Sequence, residues 1–163
     1  MNITFRPFTR HEFSQYEEWS IGSYADALVR SGTETKADAL AVSAEEFEEL
    51  LPDGIDTPDN FFFYADNEYG ANVGFVWLTY VEPDDVFIGD LGISPDLREQ
   101  GGGGLLLRAL EKKLAAEGVR RLSAHVFDCD RAMLRLYRDC AFTQYAQREP
   151  ASTCWMKEIG EHA

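Results

Sequence analysis

The sequence predicts a mixed α/β fold: a central, mostly antiparallel sheet of about six to seven strands that contains one parallel pair, flanked by about four helices. Three observations carry this. Between residues 61 and 93, three apolar segments with strand character are joined by turns of hairpin length, which makes them antiparallel neighbours. A helix then separates the strand ending at Ile93 from the strand Arg121 to Phe127, and a strand–helix–strand connection makes these two parallel. Ahead of them lie segments with apolar residues at helical spacing, and behind them a further helix and two closing strands.

Taken in order, the chain opens on a short strand, Ile3 to Phe8, which Pro7 keeps at a sheet edge or ends. Thr9 with Glu12 reads as a capping box. Phe13, Tyr16, Ile21, Tyr24, Leu28 and Val29 then give a helical stripe, with breaks expected near Gly22 and at Gly32. A further helical segment runs from about Lys36 to Leu51; Ser43 with Glu46 looks like a cap within it, so two short helices are expected. Pro52–Asp53–Gly54 stops the helix and Thr57 to Asn60 extends the loop. Strands follow at Phe61 to Ala65, Val73 to Val81 and Val86 to Ile93. A helix opened by four glycines ends at Gly118, and Arg121 to Phe127 is the next strand. Ala132 to Cys140 is the last helix, with Phe142 to Gln147 and Thr153 to Lys157 as closing strands. With no repeat and no low-complexity tract, residues 1–163 read as one domain.

Composition narrows the function classes. Apolar residues make up 45% and aromatics 13%, which fits a globular chain and excludes a disordered one. The 15 basic and 29 acidic residues give a formal charge of −14, which argues against nucleic acid or an anionic membrane surface as partner. The excess is compatible with a cationic amine substrate, and equally with solubility or a salty habitat. No apolar run reaches the length of a membrane span, and the polar start is not a signal peptide. Cys129, Cys140 and Cys154 are widely spaced with no paired motif, so reduced thiols and a cytoplasmic location are expected.

The chemistry is concentrated around Gly101–Gly102–Gly103–Gly104. Each glycine loses more backbone entropy on folding than any other residue, so a run of four suggests a backbone that a ligand approaches closely. At a helix N-terminus, unpaired N–H groups and the positive dipole end suit an anion, most often phosphate. No Lys follows Gly104, so the nucleotide-triphosphate loop fails; the dinucleotide fingerprint would need its third Gly or Ala where Leu106 stands. What fits is Arg/Gln-x-x-Gly-x-Gly/Ala, as Arg98–Glu99–Gln100–Gly101–Gly102–Gly103, after a strand that ends Ile93-x-Pro95. Here the chain resembles the acetyl-CoA pyrophosphate loop of the GNAT superfamily of N-acetyltransferases.

A second segment strengthens the resemblance. Asp130 to Phe142 is similar to the family pattern Asn-x-x-Ala-x-x-Leu-Tyr, three residues, Gly-Phe: Leu136, Tyr137 and Phe142 match. Asp130 stands for Asn, Met133 for Ala and Ala141 for Gly, the last leaving the helix end without its usual glycine cap. The segment follows the glycine loop by one helix and one strand, as the family topology requires. The stretches around Tyr24–Ala25, Leu50 to Gly54 with Thr57–Pro58, and Leu122 to Phe127 look like a bacterial subgroup of uncharacterised GNAT proteins, which extends the likeness to nearly the whole chain.

The resemblance implies a GNAT-like fold in which the parallel pair splays apart. It implies acetyl-CoA as co-substrate, with Leu91, Gly92 and Ile93 along pantetheine and the N–H groups of Gln100 to Gly104 around the pyrophosphate. Arg98 would stand nearby as a charged donor, with Glu99, Asp130 and Met133 also at the cofactor. Tyr137 matches the family tyrosine near the sulfur, where a phenol can protonate the departing thiolate; otherwise it is a core tyrosine one turn after Met133. Asp90, opposite in direction to Leu91 and Ile93 on an apolar strand, is a candidate general base whose pKa desolvation would raise; an ordered water as base, or a purely structural carboxylate, are the alternatives. His125 is a strand histidine near the cleft, either core or base. Tyr24, Trp77, Tyr80 and Phe62 are candidates to line the acceptor pocket, or else core aromatics. The wide separation of His11, His125 and His162 argues against a metal site.

The expected function is therefore acetyl transfer to a primary amine, on a small molecule or a peptide, by direct attack in a ternary complex. No cysteine is placed for an acyl-enzyme. A silent acetyl-CoA sensor, a transferase using another acyl-CoA, and a structural partner protein in which the glycines are only a turn are the alternatives. Many family members are dimers, so a second copy is carried as a partner, the closing strands being able to pair between chains.

Overall fold

A computed structural model describes residues 2–148 and 151–160. In order, its elements are β1 (Thr4–Pro7), α1 (Arg10–Arg30), α2 (Lys36–Leu50), β2 (Asn60–Asp66), β3 (Asn72–Glu82) and β4 (Asp85–Ile93). Then come the single turn α3 (Pro95–Arg98), α4 (Gly102–Ala116), β5 (Arg121–Phe127), α5 (Arg131–Asp139), β6 (Thr143–Arg148) and β7 (Ser152–Glu158). The strands form one sheet in the order β1-β2-β3-β4-β5-β7-β6. Among the described residues only β4 and β5 pair in parallel. The mixed sheet with one parallel pair is the architecture expected.

The local signals at the first helix act as read. Thr9 Oγ1 accepts the Glu12 N–H at 3.1 Å while Glu12 Oε1 accepts the Thr9 N–H at 2.9 Å, which satisfies two otherwise orphaned donors. β1, carrying Pro7, lies at the sheet edge. Two expectations are corrected. α1 runs without a break through Gly22, and only Gly32, at φ 77°, ends it. α2 is one helix, because Ser43 is buried and donates to the Ile21 carbonyl of α1 at 2.7 Å instead of capping its own chain. A serine that ties two helices together looks, in sequence, like a serine that starts one.

A third expectation concerns the closing strands. β7 lies between β5 and β6 and pairs with both within the chain, leaving only β6 at the edge. Its neighbours are therefore strands of its own sheet.

The sheet is covered on both faces. One face buries Val76, Leu78, Val86, Ile88 and Leu91 against Leu106, Leu110 and Leu114 of α4 and Tyr137 of α5. The other packs Phe62 and Trp77 against Phe13 and Tyr16 of α1 and Phe47 of α2. Each such apolar side chain stabilises the fold by about 1.5–3 kcal/mol through removal from water.

One irregularity sets the direction of Asp90. Trp77 pairs with Asp90 but the next β3 residue, Leu78, pairs with Ile88, so Gly89 is an extra residue on β4. Side chains alternate along a strand, so the insertion reverses the phase. Val86 and Ile88 before it, and Leu91 and Ile93 after it, all face α4. Asp90 is thereby turned to the α1 face. A Cβ on Gly89 would come within 2.9 Å of the Trp77 indole, so the bulge is also where that ring crosses β4.

Candidate active site

β4 and β5 pair from Asp85↔Arg121 to Ile88↔Ala124 and no further. From the Gly89 bulge onward the strands diverge, which leaves the edge of Gly89 to Ile93 open towards β5. This is the splay that the family likeness implied, and it places Leu91, Gly92 and Ile93 along the opening.

The opening leads to the start of α4. Gly101 is its N-cap in the left-handed conformation, φ 76°. The Leu105 N–H donates to the Gly101 carbonyl at 3.2 Å, so the N–H groups of Gly102, Gly103 and Gly104 precede the first intrahelical bond. The Gln100 N–H, expected to join them, is taken by the Leu97 carbonyl at 3.1 Å. Arg98 Nε donates to the Ile93 carbonyl at 3.1 Å, which holds its guanidinium at the end of β4. Glu99 and Gln100 are exposed, and Gln100 Nε2 donates to the Asp96 carbonyl at 3.1 Å.

The glycines prove to have separate reasons. Gly101 supplies a positive φ. Gly102 and Gly103 are buried: a Cβ on Gly102 would lie 2.7 Å from the Leu97 Cβ, and one on Gly103 would lie 2.9 Å from both Leu136 methyls. Gly104, unlike its two buried neighbours, has room, its Cβ meeting nothing closer than the Arg108 guanidinium at 3.4 Å. The run of four is thus largely accounted for by the left-handed turn at Gly101 and close packing of α3, α4 and α5, where the sequence suggested ligand approach or a mere turn.

Asp90 lies at the bulge with both oxygens held. Tyr16 donates its O–H to Oδ2 at 2.6 Å, and the Leu91 N–H donates to Oδ1 at 2.9 Å. Burial raises the Asp90 pKa above the ordinary carboxylate value, and these two hydrogen bonds oppose the rise. Tyr137, buried in α5 with its ring edge-on to Phe142 at 4.9 Å, is pushed far above a normal phenol, first by burial and then by the Asp90 charge. The two sequence candidates therefore feel one another, and Tyr137 stays protonated.

The remaining candidates separate. His125 follows the last β4–β5 pair, is exposed on the face that carries Asp90, and packs against Phe87 at 4.7 Å. Tyr24 reaches the far end of β5, 5.7 Å from Phe127. Trp77 is buried, stacked on Phe62 with its Nε1 donating to Asn60 Oδ1 at 2.8 Å; it is a core ring beneath Asp90. Tyr80 stands on the opposite face, next to Phe61 and α4, and is not brought to Asp90. Asp130 caps α5, its Oδ1 accepting the Met133 N–H at 3.2 Å, while Met133 packs on the core. His162 lies outside the described residues. Among the described residues no cluster of His, Cys, Asp or Glu is placed to hold a metal, and Cys129, Cys140 and Cys154 are free thiols. No described helix is long and apolar enough to cross a membrane.

Tyr16 is the site residue that sequence reasoning did not single out. It sat in the apolar stripe of α1 and offered no signal beyond its hydroxyl. From Tyr16 at Asp90 to Tyr24 at Phe127, α1 passes over the gap between β4 and β5, so the splay is roofed by this helix on one face and backed by α4 and α5 on the other.

Comparison with known proteins agrees with this geometry. Residues 11–142 match the model of the acetyltransferase (GNAT) family. YycN of Bacillus subtilis (strain 168), an uncharacterised N-acetyltransferase, is 30% identical over 148 residues, 88% of this chain and 94% of that one. YdgE of the same organism, also an uncharacterised N-acetyltransferase, is 27% identical over 158 residues, 94% of this chain and all of that one. The crystal structure of YycN superposes with a TM-score of 0.84, covering 90% of this chain and 96% of that one. A PaiA N-acetyltransferase from Thermoplasma acidophilum, solved with coenzyme A, shares the fold at TM-score 0.70 and 18% identity, covering 98% of this chain and all of that one. On the family match over residues 11–142 and the likeness to these relatives, the chain belongs to the acetyltransferase (GNAT) family and is an N-acetyltransferase.

Proposed function

We propose that the enzyme moves the acetyl group of acetyl-CoA to a primary amine, on a small molecule or a peptide, by direct attack in a ternary complex. The observation that carries this reading is the placement of Asp90: a desolvated carboxylate on the α1 face, within the stretch of β4 that β5 leaves open, and within the electrostatic reach of Tyr137. The residues present fit the donor. The edge of β4 that β5 leaves open beyond Ile88 suits an extended pantetheine arm, and the free N–H groups of the first α4 turn with the Arg98 guanidinium suit a pyrophosphate.

The bound thioester supplies the acyl carbon that the amine attacks. Asp90 takes a proton from the incoming ammonium, so that nitrogen presents a lone pair, and its raised pKa makes it a stronger base than a solvated aspartate. As the C–N bond forms and the C–S bond breaks, Tyr137 gives its phenolic proton to the leaving sulfur, and the second proton lost by nitrogen restores the phenol. The free cysteines take no part.

Calorimetric titration with acetyl-CoA, on wild type and Gly104→Asp, tests the donor site. Because Gly104 has room for a side chain and an acid is favourable in a first helical turn, this variant keeps the fold while opposing an anion. Affinity should fall at least about tenfold, the effect of a like charge a few ångströms away. Equal affinity in the two proteins would mean that the pyrophosphate is held elsewhere.

A further inference from the structure

We propose that Tyr16 is a positioning residue of the transfer: from α1, which covers the same face of the sheet, it holds one oxygen of Asp90, so that the carboxylate meets the acceptor amine in a single orientation. The inference rests on Asp90 acting as the base. Its basis is geometric. A carboxylate on a strand is free to rotate about its last bond unless both oxygens are engaged. Here the Leu91 N–H holds Oδ1 at 2.9 Å and Tyr16 holds Oδ2 at 2.6 Å, the short distance of a charge-assisted O–H···O bond. Each oxygen retains a lone pair for a further donor.

The cost of this hydroxyl argues that it is there for Asp90. Tyr16 is 5% exposed, with Phe8, Phe62 and Phe75 packed around its ring. A phenylalanine would fill that space without burying a polar group. The bond also spans two elements far apart in sequence, α1 and β4, so it fixes the helix that roofs the splay to the strand that lines it.

The groups about Asp90 are few: Tyr16 of α1, whose hydroxyl Ser20 also reaches; the Leu91 amide of its own strand; His125 of β5, on the same face of the sheet; and, from the opposite face, Tyr137 of α5, which its charge reaches. Trp77 of β3 carries no charge. Among the described residues no cation contributes to its shift. Removing the Tyr16 hydroxyl therefore takes away one of the two bonds that favour the charged carboxylate, and Asp90 will bind its proton more tightly.

Tyr16→Phe tests this by two readings. In protein carrying 13C-labelled aspartate, the Asp90 carboxyl should titrate at higher pH than in wild type. In thiol release from acetyl-CoA, with the most active amine from a panel of polyamines, amino-acid amides and aminoglycosides, kcat should fall about tenfold at unchanged KM for acetyl-CoA. The acid limb of the rate profile should move up in pH with the titration. A slower enzyme with neither titration nor limb displaced would make Tyr16 merely structural and overturn the proposal, as would unchanged kinetics. If Tyr16→Phe does not fold, 3-fluorotyrosine at position 16 keeps the shape and strengthens the donor. The titration and the limb should then move down, and no movement would count against the role. Asp90→Asn separates the two levels. Full activity there removes the base reading itself, whereas an inactive Asp90→Asn beside an unaffected Tyr16→Phe removes only the positioning role.

Discussion

Gly103 and Gly104 are adjacent in one helical turn, yet replacing each by alanine should change stability in opposite directions. At Gly104 the new methyl meets only the tips of the Arg108 guanidinium at 3.4 Å, which a flexible side chain can withdraw. What remains is the propensity gain of alanine over glycine in a helix, about 0.5–1 kcal/mol, and for a chain of this size about 1–4 °C in Tm. At Gly103 the same gain is set against a methyl placed 2.9 Å from both Leu136 δ-carbons, with Ile93 Cδ1 behind at 3.3 Å. Overpacking of a buried contact costs about 1–3 kcal/mol, so Gly103→Ala should lose up to about 2 kcal/mol net. Thermal unfolding followed by circular dichroism, with urea titration as a check on two-state behaviour, reads both. Equal stabilisation by the two substitutions would show that α4 and α5 do not approach so closely. Ligand access would then again have to explain the whole glycine run.

Ala141 holds φ 67° at the end of α5, where the Phe142 N–H closes onto the Tyr137 carbonyl at 3.0 Å; Ala141→Gly should relieve about 1 kcal/mol and raise Tm by about 2–4 °C, and no rise would mean that the left-handed turn is not strained. Tyr137→Phe should lower kcat by about a hundredfold while calorimetry finds acetyl-CoA affinity unchanged; an unaltered rate would return Tyr137 to the core. Asp90 titrates above its ordinary value when folded, so the folded chain binds that proton more tightly and stability falls as pH rises from the ordinary carboxylate value through the raised one. Asp90→Asn, whose amide can still accept from Leu91 and donate to Tyr16, should accordingly melt higher than wild type at neutral pH. That advantage should vanish in acid, below the ordinary carboxylate range, and a pH-independent difference would refute the linkage.

The architecture was legible where one kind of residue has one use. Thr9 with Glu12 capped its helix, Pro7 stayed at an edge, and the helix between Ile93 and Arg121 fixed the parallel pair. Even the direction of Asp90 relative to Leu91 followed from strand alternation. Residues with two uses were misread. Ser43 caps nothing and ties two helices, while Gly102 and Gly103 admit neighbouring helices before any ligand. Trp77 and Tyr80 lie on one strand but on opposite faces, and neither periodicity nor residue type says which face meets Asp90. Tyr16 shows the deeper limit. A tyrosine in an apolar stripe is a core residue, which it is, and its bond to Asp90 exists only once α1 has been laid over the sheet.

The extra residue on β4 also makes the length and the conformation of this strand two separate evolutionary variables. Deleting Gly89 would set Asp90 directly after Ile88, opposite the consecutive residues Trp77 and Leu78, so every side chain would keep its face and only the bulge would be lost. Keeping the residue but straightening the strand would instead send Leu91 and Ile93 to the α1 face and Asp90 to the α4 face. What the glycine contributes is therefore local, a kink at the point where β4 parts from β5, and one deletion removes it without moving the apolar residues out of the core.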